Sequence, residues 1–153
     1  MPLSAKYGII SDIHANYTAL KVVLDYLQMA GVDKILCLGD LVGYGAEPFE
    51  CIQAVKDKPN IYTIAGNHDR QVIGDKDARM RKTAAKVLEW TADNISPSNA
   101  RFLKSIPQGM TVDALWRCGA TLATHRHEVG QGCLAVLRKH GQIDVMSTAI
   151  AHK

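Results

Sequence analysis

Three short, continuously apolar runs mark the first half of the chain, at residues 7–10, 34–38 and 61–65, and each stops at polar residues: Ser11 and Asp12, Gly39 and Asp40, Gly66 and Asn67. Runs of this length without alternation suit strands buried on both faces. Between the first two, Leu20, Val23, Leu24 and Leu27 recur at the spacing of one helical stripe, with Asn16 as N-cap and Gly31 as stop. Between the second and third, Pro48 opens a helix whose inner face carries Ile52 and Val55. Further on, Ala84, Val87, Leu88 and Thr91 predict a helix over 78–92, and Ser96-Pro97 starts another that runs to about residue 105 before Pro107. Residues 119–124 read as a fourth core strand leading into His125, residues 133–139 as a short helix and residues 143–146 as a short strand.

Strand, helix, strand, helix, strand is the order of an α/β fold with helices covering a parallel sheet. Ligands of such sheets bind beyond the carboxyl ends of the strands, where Asp12, Asp40 and Asn67 all fall. With 153 residues, 47% of them hydrophobic, the chain has the length of one domain spanning 1–153 and can bury a core without disulfides. A formal charge of +3, from 18 basic and 15 acidic residues, is far from the basic surface of a dedicated nucleic-acid binder. Cys37, Cys51, Cys118 and Cys133 form no CxxC pair and read as reduced thiols. No run approaches the roughly 20 apolar residues of a membrane span, and residues 1–7 lack a signal-peptide stretch, so a soluble cytoplasmic protein is expected.

Each polar cluster admits a chemical and a plain reading. Asp12 and His14, two apart on an extended segment, would share a side and hold one ion together. Carboxylate with imidazole suits manganese, iron, zinc or nickel. The plain alternative has Asp12 capping the next helix and His14 on the surface. In Gly39-Asp40-Leu41-Val42-Gly43-Tyr44-Gly45 the glycines allow a tight loop, and Asp40 could bridge two cations with its two oxygens; the alternative is an ordinary turn. In Gly66-Asn67-His68-Asp69 an amide oxygen can ligate, an imidazole can serve a leaving group and a carboxylate can hold that imidazole; the alternative is a polar turn.

The three clusters stand in this order, each directly after a buried strand and separated by one helix apiece. Ser11-Asp12-Ile13-His14-Ala15-Asn16, Cys37-Leu38 with the Gly39–45 loop, and Ala65-Gly66-Asn67-His68-Asp69 resemble the first three motifs of the calcineurin-like metallophosphoesterases. Residues 90–107, with Ile95-Ser96-Pro97 and Phe102-Leu103, resemble the helical connection of the small bacterial branch. The likeness spans residues 7–107, extends in weaker form over 108–125 and is lost over 126–153. It implies a sheet sandwich flanked by helices, two divalent cations and a phosphate-ester substrate. Asp12, His14 and the bridging Asp40 would hold one ion, and Asp40 with Asn67 would begin the shell of the second. His68 would stabilise the transition state or protonate the leaving oxygen, with Asp69 orienting it.

Members of that family also carry a later histidine followed by glycine and then a Gly-His-x-His. Here His125 is the fourth-motif candidate and a further metal ligand, with Arg126 in place of the glycine. His127 gives the spacing of the last motif without its glycine, and Ala151-His152-Lys153 is a defective start of it; His127, His140 and His152 otherwise read as solvated surface residues. An incomplete second sheet is therefore expected, with self-association through the uncovered face and a shortened or frame-disrupted product as further expectations. Two rival functions follow: a phosphoesterase fold kept as a protein-binding scaffold, and a metal-free nucleotide-binding domain. The second lacks any GxGxxG or GxxxxGK[ST] after the first strand.

Overall fold

The computed structural model describes residues 6–75 and 80–108 in full, and residues 109–110, 122–123, 133–137 and 143–146 by their backbone. The elements are β1 (Tyr7–Ser11), α1 (Tyr17–Met29), β2 (Lys34–Cys37), α2 (Pro48–Val55), β3 (Ile61–Thr63), α3 (Asn67–Val72), α4 (Lys82–Asn94), α5 (Pro97–Ser105), β4 (Gly109–Met110), β5 (Leu122–Ala123), β6 (Cys133–Leu137) and β7 (Ile143–Met146). Local chemistry sets their limits. The Asn16 side chain accepts from the Ala19 amide at 3.0 Å and starts α1, while Gly31, at φ 65°, follows its last turn. Pro48 and Pro97 occupy the first turns of α2 and α5, and Ser96 caps α5 through the Asn99 amide at 3.2 Å.

The main sheet has the order β3-β2-β1-β6-β7. The first three strands are parallel, with Ile10 opposite Cys37 and Cys37 opposite Thr63, so their carboxyl ends form one rim. The core is built from Leu27 of α1, Leu36 and Cys37 of β2, Ile52 of α2, Leu88 of α4 and Leu103 of α5, all essentially without solvent contact. Burying a side chain of this kind stabilises the fold by about 1.5–3 kcal/mol.

Two expectations for the later chain are corrected. Residues 133–137 form β6 rather than a helix: it runs antiparallel to β1, with Ala135 opposite Ile9, and carries β7 on its other edge. Leu134 and Leu137 fit a helical spacing, but the five-residue run Cys133-Leu134-Ala135-Val136-Leu137 is continuously apolar, as suits a strand with neighbours on both sides. The described part of 119–124, Leu122–Ala123, joins not the core sheet but a separate two-stranded sheet, antiparallel to β4. The sheet is thus mixed rather than wholly parallel. The strand at residues 143–146 is found as expected, and α4 begins at Lys82.

Candidate metal centre

Beyond the strand ends, the β1 and β2 loops stay hydrogen-bonded side by side. Leu38 N donates to Ile10 O at 2.9 Å, Asp12 N to Gly39 O at 3.2 Å, His14 N to Asp40 O at 2.8 Å and Ala15 N to Leu41 O at 2.9 Å. The two loops are therefore bonded to each other along their length. The expectation of an extended Asp12-Ile13-His14 segment is overturned, because Asp12 (φ 55°), His14 (φ 49°), Ala15 (φ 55°) and Asp40 (φ 52°) all adopt the left-handed region. Such backbone is costly for residues with a Cβ and clusters at functional sites. It is this turn, not strand alternation, that brings His14 Nε2 to 3.7 Å from Asp12 Oδ1.

The third loop meets the second without room to spare. Asp40 Oδ1 accepts from the His68 amide at 3.0 Å. A Cβ on Gly66 would lie 2.0 Å from that same oxygen, so only glycine lets Asp40 reach the start of α3. A Cβ on Gly43, whose φ is 93°, would lie 2.2 Å from His68 Nδ1, so this glycine clears the space for the imidazole.

The donor atoms of His14, Asp40 and His68 lie within 4.8 Å of one another. Both histidines are buried, and their rings meet edge-on at 4.7 Å between centroids. Burial opposes the charged form of His14, but its contact with Asp12 and the charge of Asp40 outweigh this and hold the imidazole above its usual range. Burial likewise opposes the Asp12 carboxylate, but its contact with the His14 ring and the hydrogen bond from the Ser11 hydroxyl leave it below the ordinary value. Burial raises Asp40, against the pull of the His68 amide. His68 is pushed down to about 4 by burial and by the neighbouring His14, so its ring is neutral at pH 7 and offers a lone pair. Its Nδ1 is buried without a hydrogen-bond partner among the described residues. Two imidazoles, one of them with an unsatisfied ring nitrogen, and a carboxylate form a donor set that fits a divalent transition metal.

Asp12, His14, Asp40 and His68 are thus brought together, and Asn67 is the half-buried first residue of α3 beside them. His125 lies outside the described residues, as do His127, His140 and His152. The expectation that Asp69 orients the His68 ring is corrected. Its carboxylate is fully buried and accepts from the amides of Leu41 at 2.8 Å, Val42 at 3.3 Å and Gly66 at 3.0 Å, so it bonds the loop after β2 to the start of α3 rather than the His68 ring. Burial and the nearby Asp40 push Asp69 up to about 7, against the pull of those three amides. Tyr44 went unremarked in the sequence: its ring packs on both histidines, at 4.8 Å from His14 and 5.0 Å from His68. The flanking glycines Gly43 and Gly45 were the available signal.

A parallel rim of this kind with histidines and aspartates after successive strands defines a class, and comparison supplies the family. The chain belongs to the calcineurin-like phosphoesterases, whose profile matches residues 5–139. An uncharacterized protein of Methanocaldococcus jannaschii is 43% identical over 101 residues, covering 65% of this chain and 41% of that protein. A symmetrical bis(5'-nucleosyl)-tetraphosphatase of Actinobacillus pleuropneumoniae serotype 5b is 37% identical over 67 residues, covering 42% of this chain and 25% of that protein. Among solved structures, a metallophosphoesterase from Sphaerobacter thermophilus superposes with a TM-score of 0.57 at 38% identity, covering 72% of this chain and 44% of that one. This chain therefore spans less than half the length of each of these three relatives. No helix among the described residues is long and apolar enough to cross a membrane.

Proposed function

We propose that the chain hydrolyses phosphate monoesters or diesters with two divalent cations at the rim of its sheet. Asp12, His14 and Asp40 would hold one ion, Asp40 and Asn67 the other, with His125 as a further ligand. The observation that carries the reading is the convergence of His14, Asp40 and His68 donor atoms within 4.8 Å at the ends of parallel strands in a member of this family. When bound, the ions would supply Lewis-acid neutralisation of phosphate charge and a water nucleophile at neutral pH. Asp40 keeps one oxygen on the His68 amide, which fixes the carboxylate between the two clusters. His68, neutral at pH 7, carries a proton on one ring nitrogen and would donate a hydrogen bond from it to a phosphate oxygen as charge develops there. Asp69 keeps the loop after β2 and the start of α3 in register, so that the groups meet the phosphate together.

Manganese is the first ion to assay, since carboxylate, amide and imidazole donors suit it. A cytoplasmic setting belongs to the same reading, supported by the buried free thiols of Cys37 and Cys51. The name of the tetraphosphatase relative adds nucleoside polyphosphates to the substrates worth testing. Turnover of nitrophenyl phosphate or its bis-ester with added manganese is expected. Asp40→Asn and His68→Ala should each lower kcat/KM by about 100-fold or more. A folded, manganese-loaded protein without turnover on any of these esters would overturn the assignment and leave the scaffold reading.

A further inference from the structure

Three rings pack around the candidate metal centre, and they differ in exposure. His14 and His68 are 5% and 6% exposed, whereas Tyr44, in contact with both, is 40% exposed. Tyr44 is therefore the layer between the two imidazoles and solvent, and a ligand held beside those imidazoles has this ring as its neighbour.

The backbone at Tyr44 is unusual for an aromatic residue. Its φ is 58°, and Gly45 N donates to Gly43 O at 2.8 Å, closing a three-residue γ-turn with Tyr44 at its centre. The same Gly45 amide also donates to His14 O at 3.0 Å, tying the turn to the loop that carries His14. A left-handed γ-turn disfavours a bulky side chain, and glycine would fill the position with less strain. Tyr44 is not among the buried core residues, so packing of the interior does not account for an aromatic ring there.

We propose that Tyr44 is a specificity residue: its exposed face stacks on a planar aromatic group of the phosphate ester, selecting aryl or nucleoside esters over alkyl ones. The inference rests on the phosphoesterase reading above. Stacking on an aromatic side chain is tolerant of the partner's identity but requires a flat π-face, which an alkyl ester lacks. The fixed turn holds the ring in place before substrate arrives, so little ordering accompanies binding.

The test uses the full chain loaded with manganese and two non-hydrolysable probes, phenylphosphonate and methylphosphonate, titrated by calorimetry. Wild type and Tyr44→Phe are expected to bind phenylphosphonate about tenfold more tightly than methylphosphonate. Tyr44→Asn, chosen because asparagine tolerates left-handed backbone, should erase that difference while leaving manganese affinity and the far-ultraviolet circular dichroism unchanged. Equal affinities in wild type, or a preference that survives Tyr44→Asn, would overturn the assignment of Tyr44 alone. Loss of manganese binding in Tyr44→Asn would also overturn it, since the ring would then serve to support the histidines. Failure of the wild type to bind manganese and both probes would instead bring down the phosphoesterase reading, and this inference with it.

Discussion

Asp69 shows that a charged side chain can serve a site without facing it. Its two oxygens take the amides of Leu41, Val42 and Gly66, joining the loop after β2 to the start of α3. Asp69→Ala would leave three amides without that partner, at about 1–3 kcal/mol apiece when buried. A loss of about 3–5 kcal/mol is expected, read as a lower urea midpoint at unchanged m. The pH dependence has a definite sign. Because the folded value is raised from 3.8 to about 7, this group's contribution is fully present below pH 3.8 and is lost as pH rises through 7. The penalty of Asp69→Ala should therefore be larger at pH 5 than at pH 8. Gly43 makes a second residue-scale case. In Gly43→Ala the new methyl would stand 2.2 Å from His68 Nδ1 on a backbone at φ 93°, so the ring must shift. Steady-state kinetics with manganese should show kcat/KM reduced by about 100-fold, the cost of misplacing a reacting group by an ångström. The sequence marked both residues as members of clusters. It could not say that Asp69 reaches amides 27 and 28 positions away, because such partners exist only once the loops are folded together.

Among the elements, those bounded by local chemistry were the most legible. Asn16 caps α1, and prolines open α2 and α5, because caps and fixed φ act within a few residues. Asn16→Ala should accordingly cost about 1 kcal/mol, measurable by urea unfolding followed at the helical circular dichroism band. β6 was not legible in the same way. A run of five apolar residues satisfies a short helix or a buried strand equally well, and the choice falls to β1 and β7, which hydrogen-bond its two edges. The left-handed turns at Asp12, His14 and Asp40 were invisible for a related reason: no glycine occupies these positions, and the loop-to-loop hydrogen bonds that hold them come from distant sequence.

For the molecule as a whole, the first half supplies the parallel rim and the later chain supplies strands that close over β1. The order β3-β2-β1-β6-β7 makes β1 an interior strand, and Ser11, next to Asp12, pairs with Cys133. The rim that carries the candidate metal centre and the later strands therefore belong to one hydrogen-bonded sheet. Ala135→Pro, in a strand bonded on both sides, should cost about 3 kcal/mol or more and lower the melting temperature by several degrees. An unchanged melting curve would contradict the five-stranded arrangement. The α/β class and the meeting of the three motif loops followed from where apolar runs stop, since that pattern is set by burial. The antiparallel half did not follow, since nothing local distinguishes an added edge from a covering helix.

The left-handed backbone at Asp12, His14 and Asp40 is a cost that the side chains at these positions must offset. Glycine would relieve the backbone at each position by about 1–2 kcal/mol while deleting a candidate ligand. At Asp40 that relief is set against the amide of His68, which would lose its acceptor at about 1–3 kcal/mol, so strain and hydrogen bonding pull this position in opposite directions.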